Sequence, residues 1–153
     1  PKRHVNRANA ILFNGEKEQL DKKFGPFVAS GIVARYNPIE FVNKKGEILP
    51  VQLGNRTVFA FCGLANPNSF RTTLKNLGVN LVGFTAYNDH YHYKTDDIEK
   101  ISQQLSAADI IVTTEKDWVK LPLDLLNEHW YRLRIEIRPT DEEQLLSLFD
   151  IPF

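Results

Sequence analysis

The 153-residue chain balances 19 Lys plus Arg against 19 Asp plus Glu, and 42% of its residues are hydrophobic. A chain of this length and composition suits one domain, or one with a small appendage, and holds enough apolar side chains for a core. Zero formal net charge gives no support for broad attraction to nucleic acid or to anionic lipid. The single cysteine, Cys62, allows no internal disulfide and favours a reducing compartment. No apolar run approaches the ~20 residues needed to span a bilayer. The opening PKRHVNRANA is basic and polar, unlike a signal peptide. With no methionine anywhere, the sequence reads as starting part-way through a longer product.

In chain order, residues 9–15 (NAILFNG) carry a short apolar run closed by Asn-Gly and read as a buried strand. Residues 16–24 read as a short charged helix or a loop. Residues 27–43 and 47–53 are rich in β-branched and aromatic side chains and flank Lys-Lys-Gly. They predict a β-hairpin with Gly46 at positive φ, and Pro38 and Pro50 confine it to an edge or a ribbon. Residues 57–63 (TVFAFCG) form a buried strand ending in glycine. Asn66 and Pro67 then open a helix with Phe70, Leu74 and Leu77 on one face and Gly78 as its stop. Residues 79–87 give a second strand. Thr95 caps a helix with Asp96 and Asp97 in its first turn and an Ile98, Ile101, Leu105 stripe. Residues 108–117 and 130–137 are two more strands. A Thr140-x-x-Glu143 capping box opens a last helix that buries Leu145, Leu146, Leu148 and Phe149.

This alternation predicts an α/β fold: a mostly parallel sheet with flanking helices, preceded by a β-hairpin ribbon. In such sheets ligands bind beyond the carboxyl ends of the strands. Residues 63–66, 88–93 and 113–117 fall there, and all three segments are polar.

The richest stretch is AYNDHYHYKTDD, residues 86–97. Asp89 and His90 are adjacent, so their side chains are not expected to face the same way. His90 and His92, two apart in an extended segment, would share a face about 7 Å from each other. With Asp89 they suggest a metal site that lacks an evident third ligand. A histidine at a strand end also suits proton chemistry near neutrality. The plain alternative is a solvated loop with local turn bonds. In residues 62–69 (CGLANPNS) one glycine makes a poor phosphate cradle, and a capping turn is the simpler reading. The chain has neither Gly-x-x-x-x-Gly-Lys-Ser/Thr nor Gly-x-Gly-x-x-Gly. In residues 113–121 (TTEKDWVKL) Lys116 is placed to meet a phosphate or to pair with Asp89. Trp118 and Tyr131 read as packing.

Taken together, the order and spacing of these segments resemble the tetraacyldisaccharide 4′-kinase family. RANAILFNG is similar to its Arg-Ala-Asp-Ala-hydrophobic-Asn-Gly segment, with Asn9 in place of Asp. VFAFCGLANPNSFRTTLKNLG resembles its Ala-Gly-Ile-Gly-Asn-Pro-x-x-Phe stretch at Gly63, Asn66, Pro67 and Phe70, with Ala65 for the second glycine. AYNDHYHY matches its Phe-x-Asp-His segment at Asp89 and His90. VTTEKDWVKL is close to its Thr-Glu-Lys-Asp-x-Val-Lys signature.

The resemblance implies transfer of the γ-phosphate of ATP, with Mg²⁺, to the 4′-hydroxyl of a tetraacylated disaccharide 1-phosphate. That step belongs to lipid A assembly at the cytoplasmic face of the bacterial inner membrane. The implied partners are the lipid disaccharide and a P-loop domain, with a peripheral membrane setting and no nucleic acid. The implied division is a remnant of the kinase core at 1–26, a two-stranded linker ribbon at 27–53, and a C-terminal α/β domain at 54–153. His90 would partner a catalytic aspartate, and Asp89 would orient His90 or meet the metal shell. Asn66, Glu115, Lys116 and Asp117 would line the same edge. The Walker A loop, the catalytic aspartate and an anchoring helix of that family find no counterpart in these residues. The expectation is therefore a C-terminal portion, inactive alone. Outside the resemblance, the alternatives are a non-catalytic α/β binding module and a metal-dependent hydrolase using Asp89, His90 and His92.

Overall fold

A computed structural model describes residues 11–14, 22 and 31–147. In chain order these form β1 (Ile11–Asn14), β2 (Gly31–Asn43), β3 (Ile48–Pro50), β4 (Thr57–Cys62), α1 (Pro67–Asn76), β5 (Asn80–Ala86), α2 (Thr95–Ser102), β6 (Ile110–Thr114), α3 (Glu115–Trp118), β7 (Trp130–Pro139) and α4 (Glu142–Ser147). Two compact units emerge, one of residues 38–135 and one of residues 1–37 with 136–153, and their boundaries fall inside β2 and β7. Among the described residues no helix is long and apolar enough to cross a membrane.

In the larger unit the strand order is β2-β7-β6-β4-β5, with β3 beside β2. β4 pairs in parallel with both β5 and β6, and β6 pairs in parallel with β7. From β4 the chain steps outward to β5, then returns past β4 to β6. Right-handed crossovers in opposite directions place α1 and α2 on opposite faces. The burial follows. Val58, Ala60 and Cys62 of β4 pack in one core cluster with Phe70 and Leu74 of α1. Phe59 and Phe61 pack in the other with Ile98 and Ile101 of α2, Trp118 and Trp130. Consecutive strand side chains alternate between faces, so β4 supplies both cores and shows the unbroken apolar run of a doubly covered strand.

The ends of these elements obey local chemistry. Gly78 adopts φ +71. Its N–H donates to the Lys75 carbonyl at 2.9 Å and that of Val79 to the Leu74 carbonyl at 3.1 Å, a Schellman closure. Asn66 stands at the N-cap of α1 but makes no side-chain cap bond. The N-cap of α2 is Lys94 rather than the expected Thr95. Asp97, at N3, reaches back and accepts the Lys94 N–H at 2.9 Å, the acid's half of a capping box.

The predicted hairpin is present, over the described residues, as an antiparallel β2–β3 pair with Gly46 at φ +81, but β2 also has β7 as a neighbour and is not the edge strand expected. Its turn is built on buried Asn43, whose Oδ1 accepts the N–H groups of Lys45 and Glu47, both at 2.9 Å. Pro38 lies between the β2 residues that pair with β1 (31–34) and those that pair with β3 (40–42). The second predicted strand, β5, is only half-buried. It stands at the end of the strand order, with Val82 exposed. The β4–β5 register slips there, so that Gly83 rather than Val82 faces Phe59.

In the smaller unit β1 runs parallel to the start of β2. Its Leu12 is exposed, so residues 11–14 form a strand without the burial expected of it. Thr140 donates through both N–H (2.8 Å) and Oγ1 (3.0 Å) to the Val33 carbonyl. Being engaged there, it does not cap α4. Asp141 does, accepting the Gln144 N–H at 2.8 Å. Leu145 and Leu146 are half-buried. Leu148, Phe149 and, save for Lys22, the whole 16–24 reading lie outside the described residues.

Candidate active edge

Strands β4, β5 and β6 end at Cys62, Ala86 and Thr114, so the three polar segments picked out in the sequence do follow their carboxyl ends. The strand order reverses between β4 and β6, the place where open α/β sheets usually admit a ligand. Here a side chain fills that place. Asp117, 0% exposed, accepts the Gly63 N–H at 2.9 Å and the Thr114 hydroxyl at 2.8 Å through Oδ2. Its Oδ1 meets Lys120 Nζ at 3.0 Å. Thr114 returns the favour as N-cap of α3, its Oγ1 accepting the Asp117 N–H at 3.1 Å. A buried carboxylate with this many donors is a structural tie between the β4 and β6 ends.

Gly63 is required by that tie. A Cβ there would stand 3.1 Å from both the Asn88 carbonyl and Asp117 Oδ1, and 3.3 Å from the Tyr93 hydroxyl. The loop after β5 is thereby packed onto the β4 end. Tyr93 is buried, and its hydroxyl has no hydrogen-bond partner among the described residues. Burial first, then the Asp117 charge, pushes the pKa of that phenol well above its ordinary range. The same two causes push the Cys62 thiol up to about 11. Tyr87, Tyr91, Tyr93 and Phe61 form an aromatic knot with centroids 4.7–6.3 Å apart, which stiffens the loop from within.

Outside this buried tie sits an exposed constellation. Residues 88–91 make a turn closed by the Tyr91 N–H on the Asn88 carbonyl at 3.1 Å, with His90 at φ +59. His90 is the one non-glycine among the described residues with positive φ. A left-handed histidine costs conformational energy that the surroundings must supply. Asp89 Oδ1 helps by accepting the His90 N–H at 3.0 Å. The same left-handed turn overturns two sequence expectations. Asp89 and His90 do face each other, with His90 Nε2 3.7 Å from Asp89 Oδ2. The segment is also not extended through His90, so the shared-face spacing of His90 and His92 does not apply. Lys116 Nζ reaches Asp89 Oδ1 at 2.7 Å from α3, the pairing foreseen as one of its options. That hydrogen bond is the leading cause that holds the Asp89 carboxyl below its usual range.

The remaining candidates divide. Glu115 Oε2 accepts a long contact, 3.4 Å, from the Ile135 N–H. Asn66 is exposed, and its carbonyl receives the Ser69 N–H and hydroxyl. His92 is exposed. Among the described residues no three His, Cys, Asp or Glu side chains gather as metal ligands. Sequence reasoning passed over Tyr93, Thr114 and Lys120. The spacing Thr114-x-x-Asp117, a capping pattern on its own, was the available signal for Thr114.

These features define a class: an open α/β domain whose titratable groups lie beyond the carboxyl ends of its parallel strands. Known proteins narrow it. A family model described as Tetraacyldisaccharide-1-P 4′-kinase matches residues 1–151, and this chain belongs to that family. The tetraacyldisaccharide 4′-kinase of Rickettsia typhi is 30% identical over 139 residues, 90% of this chain and 40% of its own length. That of Desulfotalea psychrophila is 42% identical over 83 residues, 53% of this chain and 24% of its own. The solved apo-form LpxK of Aquifex aeolicus, in complex with ATP, superposes with TM-score 0.64 at 26% identity, covering 97% of this chain and 44% of that one. The chain thus spans less than half the length of these relatives.

Proposed function

We propose that this chain is the C-terminal part of an ATP-dependent lipid kinase that phosphorylates the 4′-hydroxyl of a tetraacyldisaccharide 1-phosphate in lipid A biosynthesis. In this reading residues 1–26 belong to the kinase core, 27–53 to a linker ribbon and 54–153 to the C-terminal α/β domain. The protein works at the cytoplasmic face of the inner membrane. The carrying observation is His90: an imidazole 78% exposed, held in a left-handed turn at the carboxyl edge of the sheet, with Asp89 beside it.

Phosphoryl transfer is mainly positioning and charge stabilisation, with a base to orient the attacking hydroxyl. His90 presents a ring nitrogen to the carboxylate that takes the sugar proton, and that carboxylate comes from the other domain. Asp89 orients the imidazole, while Asn66, Glu115 and Lys116 line the edge and Asp117 holds it together. In this reading ATP and Mg²⁺ would be held by the P-loop domain. The residues present do not make a magnesium site by themselves, because the exposed carboxylate, Asp89, is already engaged by Lys116.

The test is transfer of labelled γ-phosphate to the lipid disaccharide by this chain mixed with a separately produced P-loop domain of a relative. Either half alone should be inactive. The mixture should be active, and His90→Ala should lower its rate by at least about 100-fold, the low end for a lost acid–base group. Transfer by the isolated chain, or full activity with His90→Ala, would refute the reading.

A further inference from the structure

Asp89 is approached from two sides. Its Oδ2 faces His90 Nε2 at 3.7 Å within one turn, and its Oδ1 takes both the His90 N–H at 3.0 Å and Lys116 Nζ at 2.7 Å. Lys116 alone among these arrives from another element, α3. That element is itself fixed, because the next residue, Asp117, is buried and bound to the β4 end. Within the tip the loop's own bonds are the Tyr91 N–H on the Asn88 carbonyl and the His90 N–H on Asp89, and the others hold its base. Asp97 accepts Tyr91 Oη and the Lys94 N–H, and the aromatic knot packs Tyr87, Tyr91 and Tyr93. The tip carries the only left-handed non-glycine among the described residues.

We infer that Lys116 is a positioning residue: a strap from α3 that holds Asp89 in one rotamer and, through it, holds His90 in the left-handed turn that aims its imidazole outward. Of the other charged groups nearby, Asp97 accepts the Tyr91 hydroxyl and the Lys94 backbone N–H, and Asp117 pairs with Lys120. Among the described residues, Lys116 is the ammonium group seen within ion-pair distance of Asp89. The chain of support runs from the buried Asp117 through α3 to Lys116, then to Asp89 and the tip. A single lysine thus ties the exposed tip of this turn to the rigid core.

The catalytic half of this inference rests on the kinase reading, but its structural half does not. The experiment is therefore double. In the intact chain, NMR follows the Asp89 carboxyl and the His90 amide from pH 2 to pH 7 in wild type, Lys116→Met and Lys116→Arg. In wild type the His90 amide signal should move with Asp89 ionisation, because that carboxylate accepts it. In Lys116→Met the Asp89 midpoint should rise toward the ordinary carboxylate range and the amide response should shrink. Lys116→Arg should restore both. In the mixed-halves assay, kcat for Lys116→Met should fall about 10- to 100-fold with KM little changed, as expected when a reacting group is misplaced by about an ångström. A Lys116→Met protein whose Asp89 midpoint and His90 amide response match wild type would overturn the inference, even with active halves. A changed response with inactive halves would sustain the strap and count against the kinase reading alone.

Discussion

Two aspartate–lysine pairs stand a few residues apart at the same sheet edge, and they differ in almost everything but chemistry. Asp117 meets Lys120 at 3.0 Å with its carboxylate fully buried. Asp89 meets Lys116 at 2.7 Å with 35% of its side chain exposed. The shorter contact is the weaker contributor to stability, because water and salt screen an exposed pair while a buried one stands or falls with its hydrogen bonds. Asp117 also accepts the Thr114 hydroxyl and the Gly63 N–H, so it holds the strand ends together. Asp89 holds only a turn tip. Burial thus separates the group that builds the edge from the group available to work on it.

Asp117→Ala is the largest test of that contrast. It leaves the Gly63 N–H without an acceptor and Lys120, 19% exposed, without a partner. A loss of roughly 3–5 kcal/mol is expected from urea unfolding, a large share of the ~5–15 kcal/mol a domain possesses. Asp117→Asn keeps an acceptor for Gly63 and should cost less, about 1–3 kcal/mol. Equal melting temperatures for wild type and Asp117→Ala would remove the distinction between the pairs.

Gly63→Ala comes next. The new methyl would press on the Asn88 carbonyl and Asp117 Oδ1 at 3.1 Å, and a backbone carbonyl yields little. Destabilisation of about 1–3 kcal/mol is expected, with amide exchange quickening through residues 88–93. Cys62 offers a smaller, pH-dependent effect. Its thiol is raised to about 11 in the fold, so the stability from burying the protonated form is complete below the ordinary thiol range. It is lost as pH climbs toward 11. Between pH 7 and 10.5 the wild type should lose roughly 1–2 kcal/mol more than Cys62→Ala does, read from paired urea curves.

Much of this edge was legible in the sequence. The apolar run of 57–63 told of a strand covered on both faces, and Pro67 with Gly78 bracketed α1. Asp89, His90, Lys116 and Asp117 were singled out because polar, special residues recur where α/β strands end. Their division of labour was not legible, since burial is set by which loop packs on which. Asp117 lies against Gly63, 54 residues away, and nothing local announces that contact. The left-handed backbone of His90 was equally hidden, for an Asn-Asp-His-Tyr stretch is compatible with several turns. Where helix caps moved, to Lys94 and Asp141, a neighbouring acid or a competing tertiary bond such as Thr140 to Val33 had decided the matter.

The smallest expected effect sharpens the comparison most. Asp89→Asn removes an ion pair in which Asp89 is about one-third and Lys116 about two-fifths exposed. The Asp89 carboxyl is held low in the fold, chiefly by the Lys116 hydrogen bond, so any stability it lends is present above the usual carboxylate range and fades as pH falls through it. Solvent screening keeps that contribution near zero. Wild type and Asp89→Asn should therefore differ little in melting temperature at pH 7 and in acid unfolding, in contrast to Asp117→Asn. If the two curves part below pH 4, with wild type the more acid-sensitive, Asp89 supports the fold as Asp117 does. The edge would then have no exposed group spared from structural duty, and the case for His90 and Asp89 as its working residues would weaken accordingly.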